Sequence, residues 1–243
     1  MIPRLIFTVL ALAAMSWGAF ALVISRQAGP LERVAKRIII GEPFNAEALA
    51  LLQPAMAAIE ANELCHPAAL RAVAIIRLRR LETAAAAAVD EERALFRQSA
   101  RHSLSCTPAD PYLWLVMYGT ESSQSGLGER PLQYLRMSYQ TGPNEGWVAL
   151  KRNRLALAAF AHLPGDMAEM AIAEFVSLLA TRRAFRESVE TMQGPGWAVR
   201  DIIIPRLAAL PIDIRQDFSN WLYRAGLEVE IPGIARREPR PWR

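Results

Sequence analysis

The chain has 243 residues, 52% of them hydrophobic and 21% charged, with 28 basic and 24 acidic side chains, 16 prolines and two cysteines. That length suits one globular domain or a short repeat array. Two cysteines cannot build a disulfide-dense scaffold, and the apolar content is too high for a disordered chain. A sequence pI near 9.4 is weak ground for nucleic-acid binding, because the Arg residues are scattered among acids; collagen-like, disulfide-rich and polytopic membrane classes are excluded.

The first element is Leu5 to Ile24, 20 residues without a charge, bracketed by Arg4 and Arg26. A helix of that length spans about 30 Å, the thickness of a bilayer's hydrocarbon core. Thr8 and Ser16 can return their hydroxyls to the helix backbone. The reading is a retained transmembrane anchor over residues 1–27. The alternatives are a cleaved signal peptide, for which Ala19-Phe20-Ala21 supplies the small-x-small pattern, and a buried core helix. Orientation is drawn two ways. Arg26, Arg33, Lys36 and Arg37 on the far flank favour a cytoplasmic body by charge count, whereas an apolar segment at the extreme N-terminus acts as a signal-anchor that exports the chain behind it. We take export, which places a single-pass protein in the inner membrane with a periplasmic body.

The body, residues 28–230, reads as all-α. No period-two alternation is sustained, and helical spacing dominates. Ala46, Leu49, Leu52, Met56 and Ile59 trace one face, and Leu70, Val73, Ile76 and Leu78 another. Glu82 to Ser103 reads as one helical segment, including the Ala84–Ala88 run of high helix propensity. Asp166 is a candidate N-cap, with Glu169 at the capping-box position. Ile214, Phe218, Trp221, Leu222 and Ala225 give a clear apolar stripe. Trp114, Trp147, Trp197 and Trp221 fall in apolar patterns and are expected in the core. Residues 231–243 read as a flexible basic tail.

Pro67, Pro108 and Pro143 lie 41 and 35 residues apart, and each is expected to open a helical segment. Pro108-Ala109-Asp110-Pro111-Tyr112-Leu113-Trp114-Leu115 aligns with Pro143-Asn144-Glu145-Gly146-Trp147-Val148-Ala149-Leu150, and Ser103 and Ser138 each precede the proline by five. Asp110 and Glu145 then sit at helix starts, where they cap or meet the dipole. Ser122 to Gly128 is the turn of a hairpin whose second helix is Glu129 to Thr141. Such a period is the signature of tetratricopeptide-like arrays, which stack into a solenoid; chance helix–Pro–helix spacing in an ordinary all-α protein is the alternative.

Against the tetratricopeptide pattern, Trp114 fits the leading Trp, Met117 stands for the Leu three later, Ser138 for a late small residue and Pro143 for the closing Pro. Tyr118 and Glu121 depart from the usual Gly and Tyr. Residues 108–115, followed by Tyr134-Leu135-Arg136-Met137-Ser138-Tyr139-Gln140-Thr141-Gly142-Pro143-Asn144-Glu145, resemble tetratricopeptide-like accessory proteins of bacterial exopolysaccharide biosynthesis. The resemblance covers residues 100–160, and the rest by layout alone. It implies a non-catalytic scaffold whose partners are other proteins of a polysaccharide synthesis or export complex, with membrane contact through residues 5–24 and none with nucleic acid.

Cys65 and Cys106 each precede a repeat proline by two residues. In an exported body they could form a disulfide closing a loop of about 42 residues, contributing roughly 4 kcal/mol by chain entropy. Equivalent points on stacked helices, however, lie about 8–10 Å apart, further than the roughly 7 Å between Cα atoms that a disulfide spans, so buried free thiols remain the alternative. His66, His102 and His162 are isolated, and no cofactor loop, metal motif or nucleophile elbow is present; we assign no catalytic, cofactor or metal residue. Lys151, Arg152 and Arg154 are the candidate groove for an acidic peptide or anionic glycan, against an ordinary helix-dipole role for the basic clusters. Two further classes stay open. One is an envelope-assembly adaptor. The other is a glycan-processing enzyme, for which Glu145, Asp166 and Glu169 are the carboxylates near the repeats.

Overall fold

The computed structural model describes residues 2–62 and 64–235, and the side chains of all of these but 2–5, 20, 21, 23–25 and 27. The protein is all-α: among the described residues every regular element is helical. Two compact units replace the single body expected from the sequence, one over Met1–Ala109 and one over Asp110–Arg243.

The first unit holds α1 (Ile2–Ile39), α2 (Ala46–Ala50), α3 (Gln53–Glu60), α4 (Pro67–Glu82) and α5 (Val89–Cys106). The expected anchor boundary after residue 27 falls inside α1, which runs unbroken for 38 residues, about 57 Å at 1.5 Å per residue. Its two halves differ. Residues 6–19 are exposed throughout, which overturns a core-helix reading of that stretch, whereas Ala28, Leu31 and Ala35 are buried. These three are spaced i, i+3, i+7 and form the stripe by which α1 packs on α3 and α4. Ser16 Oγ donates to the Leu12 carbonyl at 2.9 Å. Among the described residues no helix is long and apolar enough to cross a membrane. The run Leu5–Ile24 lies partly outside them, at the side chains of Leu5, Phe20, Ala21, Val23 and Ile24.

Helix α4 is the centre of the unit, buried almost all round from Ala69 to Leu78. The expected single helix from Glu82 to Ser103 is instead two elements. The chain reverses at 83–85, and Ala86–Ala88 forms a 3-10 turn before α5. Packing of α5 back onto α4 decides the matter over local alanine propensity, which is worth only tenths of a kcal/mol per residue.

The second unit holds α6 (Pro111–Ser125), α7 (Glu129–Thr141), α8 (Gly146–Ala158), α9 (Gly165–Ala180), α10 (Phe185–Gln193), α11 (Arg200–Arg206) and α12 (Ile212–Arg224). Helices α6 and α7 form one hairpin, α8 and α9 another, and the two meet through α6 and α8. Asp110 is the N-cap of α6, its Oδ1 accepting from the amides of Tyr112 and Leu113 at 3.0 Å each. Glu145 holds the same place before α8 but makes no side-chain cap. Pro67 is the first residue of its helix, whereas Pro108 and Pro143 precede theirs by three residues, so the helix start tracks the cap and not the proline. Asp166 is not a cap either: α9 begins at Gly165 after Pro164, and Asp166 pairs with Arg136. Phe218 of α12 seats between Phe175 and Phe185, with ring centroids 6.1 Å from each. Trp147, Trp197 and Trp221, expected in the core, are exposed, Trp147 lying against the Tyr112 ring and Trp197 beneath the Arg200 guanidinium. Ile231 is buried and the Pro232 carbonyl accepts from Arg215, so the ordered chain runs past the expected tail boundary at 231. Residues 236–243 of that tail lie outside the described residues.

Candidate functional site

Cys65 and Cys106 are paired in a disulfide with Cα atoms 5.8 Å apart. The obstacle raised from the sequence does not arise, because the two are not equivalent points on successive repeats. Cys65 stands two residues before α4 and Cys106 is the last residue of α5, so both lie at the same end of one hairpin. Nearby, His66 is the N-cap of α4, with Nδ1 accepting from the Ala69 amide at 3.4 Å. Among the described residues no group of three metal-binding side chains comes together.

The expected groove of Lys151, Arg152 and Arg154 is not one surface. Lys151 and Arg154 are exposed, but Arg152 is wholly buried. Its side chain points into the unit because the ends of two helices meet there. The guanidinium donates to the Ser138 carbonyl at 2.6 Å, which also accepts the capping Gly142 amide at 3.2 Å, and to the Gly142 carbonyl at 3.1 Å, just past the end of α7. It also donates through Nε and Nη2 to Glu174 Oε1 of α9 at 3.0 and 2.5 Å. The Tyr139 ring covers it, with centroid 4.3 Å from Cζ. Ser138 Oγ in turn donates to the Pro111 carbonyl at 2.8 Å. Gly142 is needed at this junction, since a Cβ there would overlap the Pro111 ring.

This cluster floors a cleft of about 550 Å³ between α7 and α9, with the start of α8 at one end. Its walls are aliphatic: Ala149, Met170, Ala173 and Leu178. Gln140, Asn144, Ser177 and Thr181 add neutral hydrogen-bonding groups. Tyr139 and Glu174 lie at the floor, 7% and, for the Glu174 side chain, 9% exposed. The Tyr139 phenol and the Glu174 carboxyl are hydrogen-bonding partners, with Asn153 also within reach of the carboxyl, and Tyr139 Oη and Glu174 Oε2 are both closed to solvent. Burial pushes the Glu174 carboxyl above its ordinary value, with Arg152 pulling the other way. Burial likewise pushes the Tyr139 phenol far up, reinforced by the charge of Glu174.

The carboxylates raised for an enzyme do not share this cleft. Glu145 is exposed at the start of α8, Asp166 pairs with Arg136 and Glu169 with Arg206. Glu174 and Tyr139 are absent from the candidates named from sequence. A usable signal is present there: an acid within the apolar stretch Met170–Val176 is a candidate for burial with a partner. Comparison with known proteins adds no relative, since no family model, curated protein or solved structure matches the chain.

Proposed function

We propose that this protein is a non-catalytic, membrane-anchored scaffold of the bacterial envelope, serving exopolysaccharide synthesis or export, with a tetratricopeptide-like body in the periplasm. The observation that carries the location is the Cys65–Cys106 bridge at the end of a helical hairpin, a bond that persists in oxidising compartments. The anchor is supported by Phe7, Leu10, Leu12 and Met15, large apolar side chains exposed on a stretch of α1 with no charge among them; a bilayer is the solvent such a surface suits. Because α1 continues into the first unit's core, this anchor would hold the body near the membrane without a flexible link and raise its local concentration beside a synthase or export channel. Period, hairpins and the stretch around residues 108–145 support the scaffold role and the pathway.

The test is genetic. Deleting the gene in the source bacterium is expected to lower secreted exopolysaccharide. The full chain should restore it, and a chain carrying Leu10→Arg and Leu12→Arg should not, because each centrally placed Arg costs about 3 kcal/mol of insertion. Unchanged polymer output in the deletion strain would overturn the reading.

A further inference from the structure

We infer that the outer face of α1 just beyond the apolar segment, built on Arg26 and Arg33, binds the headgroups of anionic phospholipids. Arg26, Arg33 and Arg37 are spaced i, i+7, i+11, and all three are exposed. At about 100° per residue they fall within roughly 40° of one another, on the side of the helix opposite the buried stripe of Ala28, Leu31 and Ala35. Followed towards the N-terminus, the same line carries Leu22, Met15 and Leu12, whose apolar side chains are exposed. One face of a single unbroken helix therefore changes from apolar to basic between Leu22 and Arg26.

The spacing along the axis selects the partner. Arg26 stands one turn beyond Leu22, about 6 Å, which matches the depth of a headgroup layer beside a hydrocarbon core of about 30 Å. Arg33 starts further out but folds back. Its Nη1 lies 3.5 Å from the place a Cβ would take on Gly29, one turn nearer the apolar segment. Side chains on a helix lean towards its N-terminus, and the glycine leaves that path open. Among the described residues neither Arg26 nor Arg33 makes an ion pair, whereas Arg37 is taken by Glu42 and lies over the Phe44 ring. Glu32, the acid between them in sequence, sits about 100° round the helix from Arg33. A guanidinium grips phosphate with two parallel hydrogen bonds. A net negative headgroup is favoured over a zwitterionic one, because the latter brings a cation of its own beside two uncompensated arginines. An acidic protein segment would supply the charge but not the hydrocarbon that Leu12, Met15 and Leu22 require next to it. A phospholipid supplies both, in that order along the helix. This inference rests on the anchor reading and adds the class of lipid around the anchor.

The experiment reconstitutes the full chain into vesicles of equal phosphatidylcholine and phosphatidylglycerol. Lipid held at the protein surface is read by electron spin resonance, with a spin-labelled form of each lipid in turn. Phosphatidylglycerol is expected to be held about fivefold more strongly, the effect of one basic side chain at a membrane surface. Arg26→Gln combined with Arg33→Gln should bring the ratio close to one with the melting temperature unchanged, since both positions are exposed. Arg154→Gln, an exposed position in the second unit, should leave the ratio as it is. The inference is overturned if the wild type holds both lipids equally, or if the double variant keeps the preference. Alkaline extraction separates this failure from that of the anchor. A chain that stays in the vesicles without a lipid preference keeps the anchor and loses this site. A chain that is washed off and holds no lipid removes the anchor, and this inference with it.

Discussion

The α4–α5 and α6–α7 hairpins close the same end by different chemistry. In the first, a residue just before the hairpin and its last residue are joined by the Cys65–Cys106 bond. In the second, the first residue of α6 and the last turn of α7 are joined by the Ser138–Pro111 hydrogen bond and the tight approach of Gly142 to the Pro111 ring. Arg152 then locks the α7 end from below. A covalent clasp works alone and depends on redox conditions. A polar clasp depends on every member being present and dry, since removing one strands the others in a low-dielectric site. Each unit also carries a buried arginine. Arg77 meets Glu60 at 3.3 Å and Gln53 at 3.1 Å in the first, while Arg152 makes its five hydrogen bonds in the second. Both units thus hold a polar network, the first extended by Arg80 to Gln53 and Glu92 and by Ser99 to Glu60, the second centred on Arg152.

The largest effect should come from breaking that network. Arg152→Ala leaves Glu174 buried without its counter-charge and removes the guanidinium donor from the Ser138 and Gly142 carbonyls, of which Ser138 keeps the Gly142 amide, and this should cost about 3–5 kcal/mol. Chemical denaturation of the full chain measures it, and limited proteolysis should place new cleavages after residue 110 only. Arg152→Met combined with Glu174→Met should recover much of the loss, because an apolar pair of similar size carries no stranded charge. A double variant no better than the single one would mean that the α7 carbonyls, and not the ion pair, dominate.

The covalent clasp comes next. Reducing the disulfide, or replacing Cys65 and Cys106 by Ala, should cost up to roughly 4 kcal/mol by chain entropy, with new proteolysis confined to the first unit. The Arg152 variants should respond to reductant as the wild type does. Cleavage appearing in both units on reduction would defeat the idea of two independent clasps. Gly142→Ala should cost about 1–3 kcal/mol by overpacking against Pro111, below either clasp, as read from the denaturation midpoint.

How much of this is legible in the sequence depends on the range over which each signal acts. Period and capping chemistry are local, and they place the second helix of the hairpin at Glu129–Thr141, where α7 lies, and the cap of α6 at Asp110. The disulfide stays open at that level because Cys65 and Cys106 look equivalent when repeats are aligned. They are neighbours because the end of a hairpin's second helix folds back beside the start of its first. Arg152 misleads for a related reason. Three basic residues within four positions read as a surface, yet a helix turns by 100° per residue and Arg152 faces away from Lys151 and Arg154. Neither the carbonyls at the end of α7 nor the acid on α9 is visible from α8 alone. Glu174 and Tyr139 share a floor only through the packing of α7 and α9 around α8.

The smallest effects should appear in pH. Glu174 has its carboxyl raised above 4.5 by burial. The folded protein therefore keeps this proton at a pH where the unfolded chain has released it. The contribution is fully present below about pH 4.5 and is lost as pH rises through the raised value. Asp166 runs the other way. Its hydrogen bond from Arg136 holds the carboxyl below 3.8, so its contribution is present above that value and is lost as pH falls through the lowered one. Asp166 lies at the surface in its pair with Arg136, and this second effect should fade in high salt. Denaturation midpoints across pH 3 to 8 separate the two. Glu174→Gln should flatten the upper limb and Asp166→Asn the acid limb, each leaving the other intact. An upper limb unchanged in Glu174→Gln would assign the raised proton affinity to another group and weaken the account of the cleft floor.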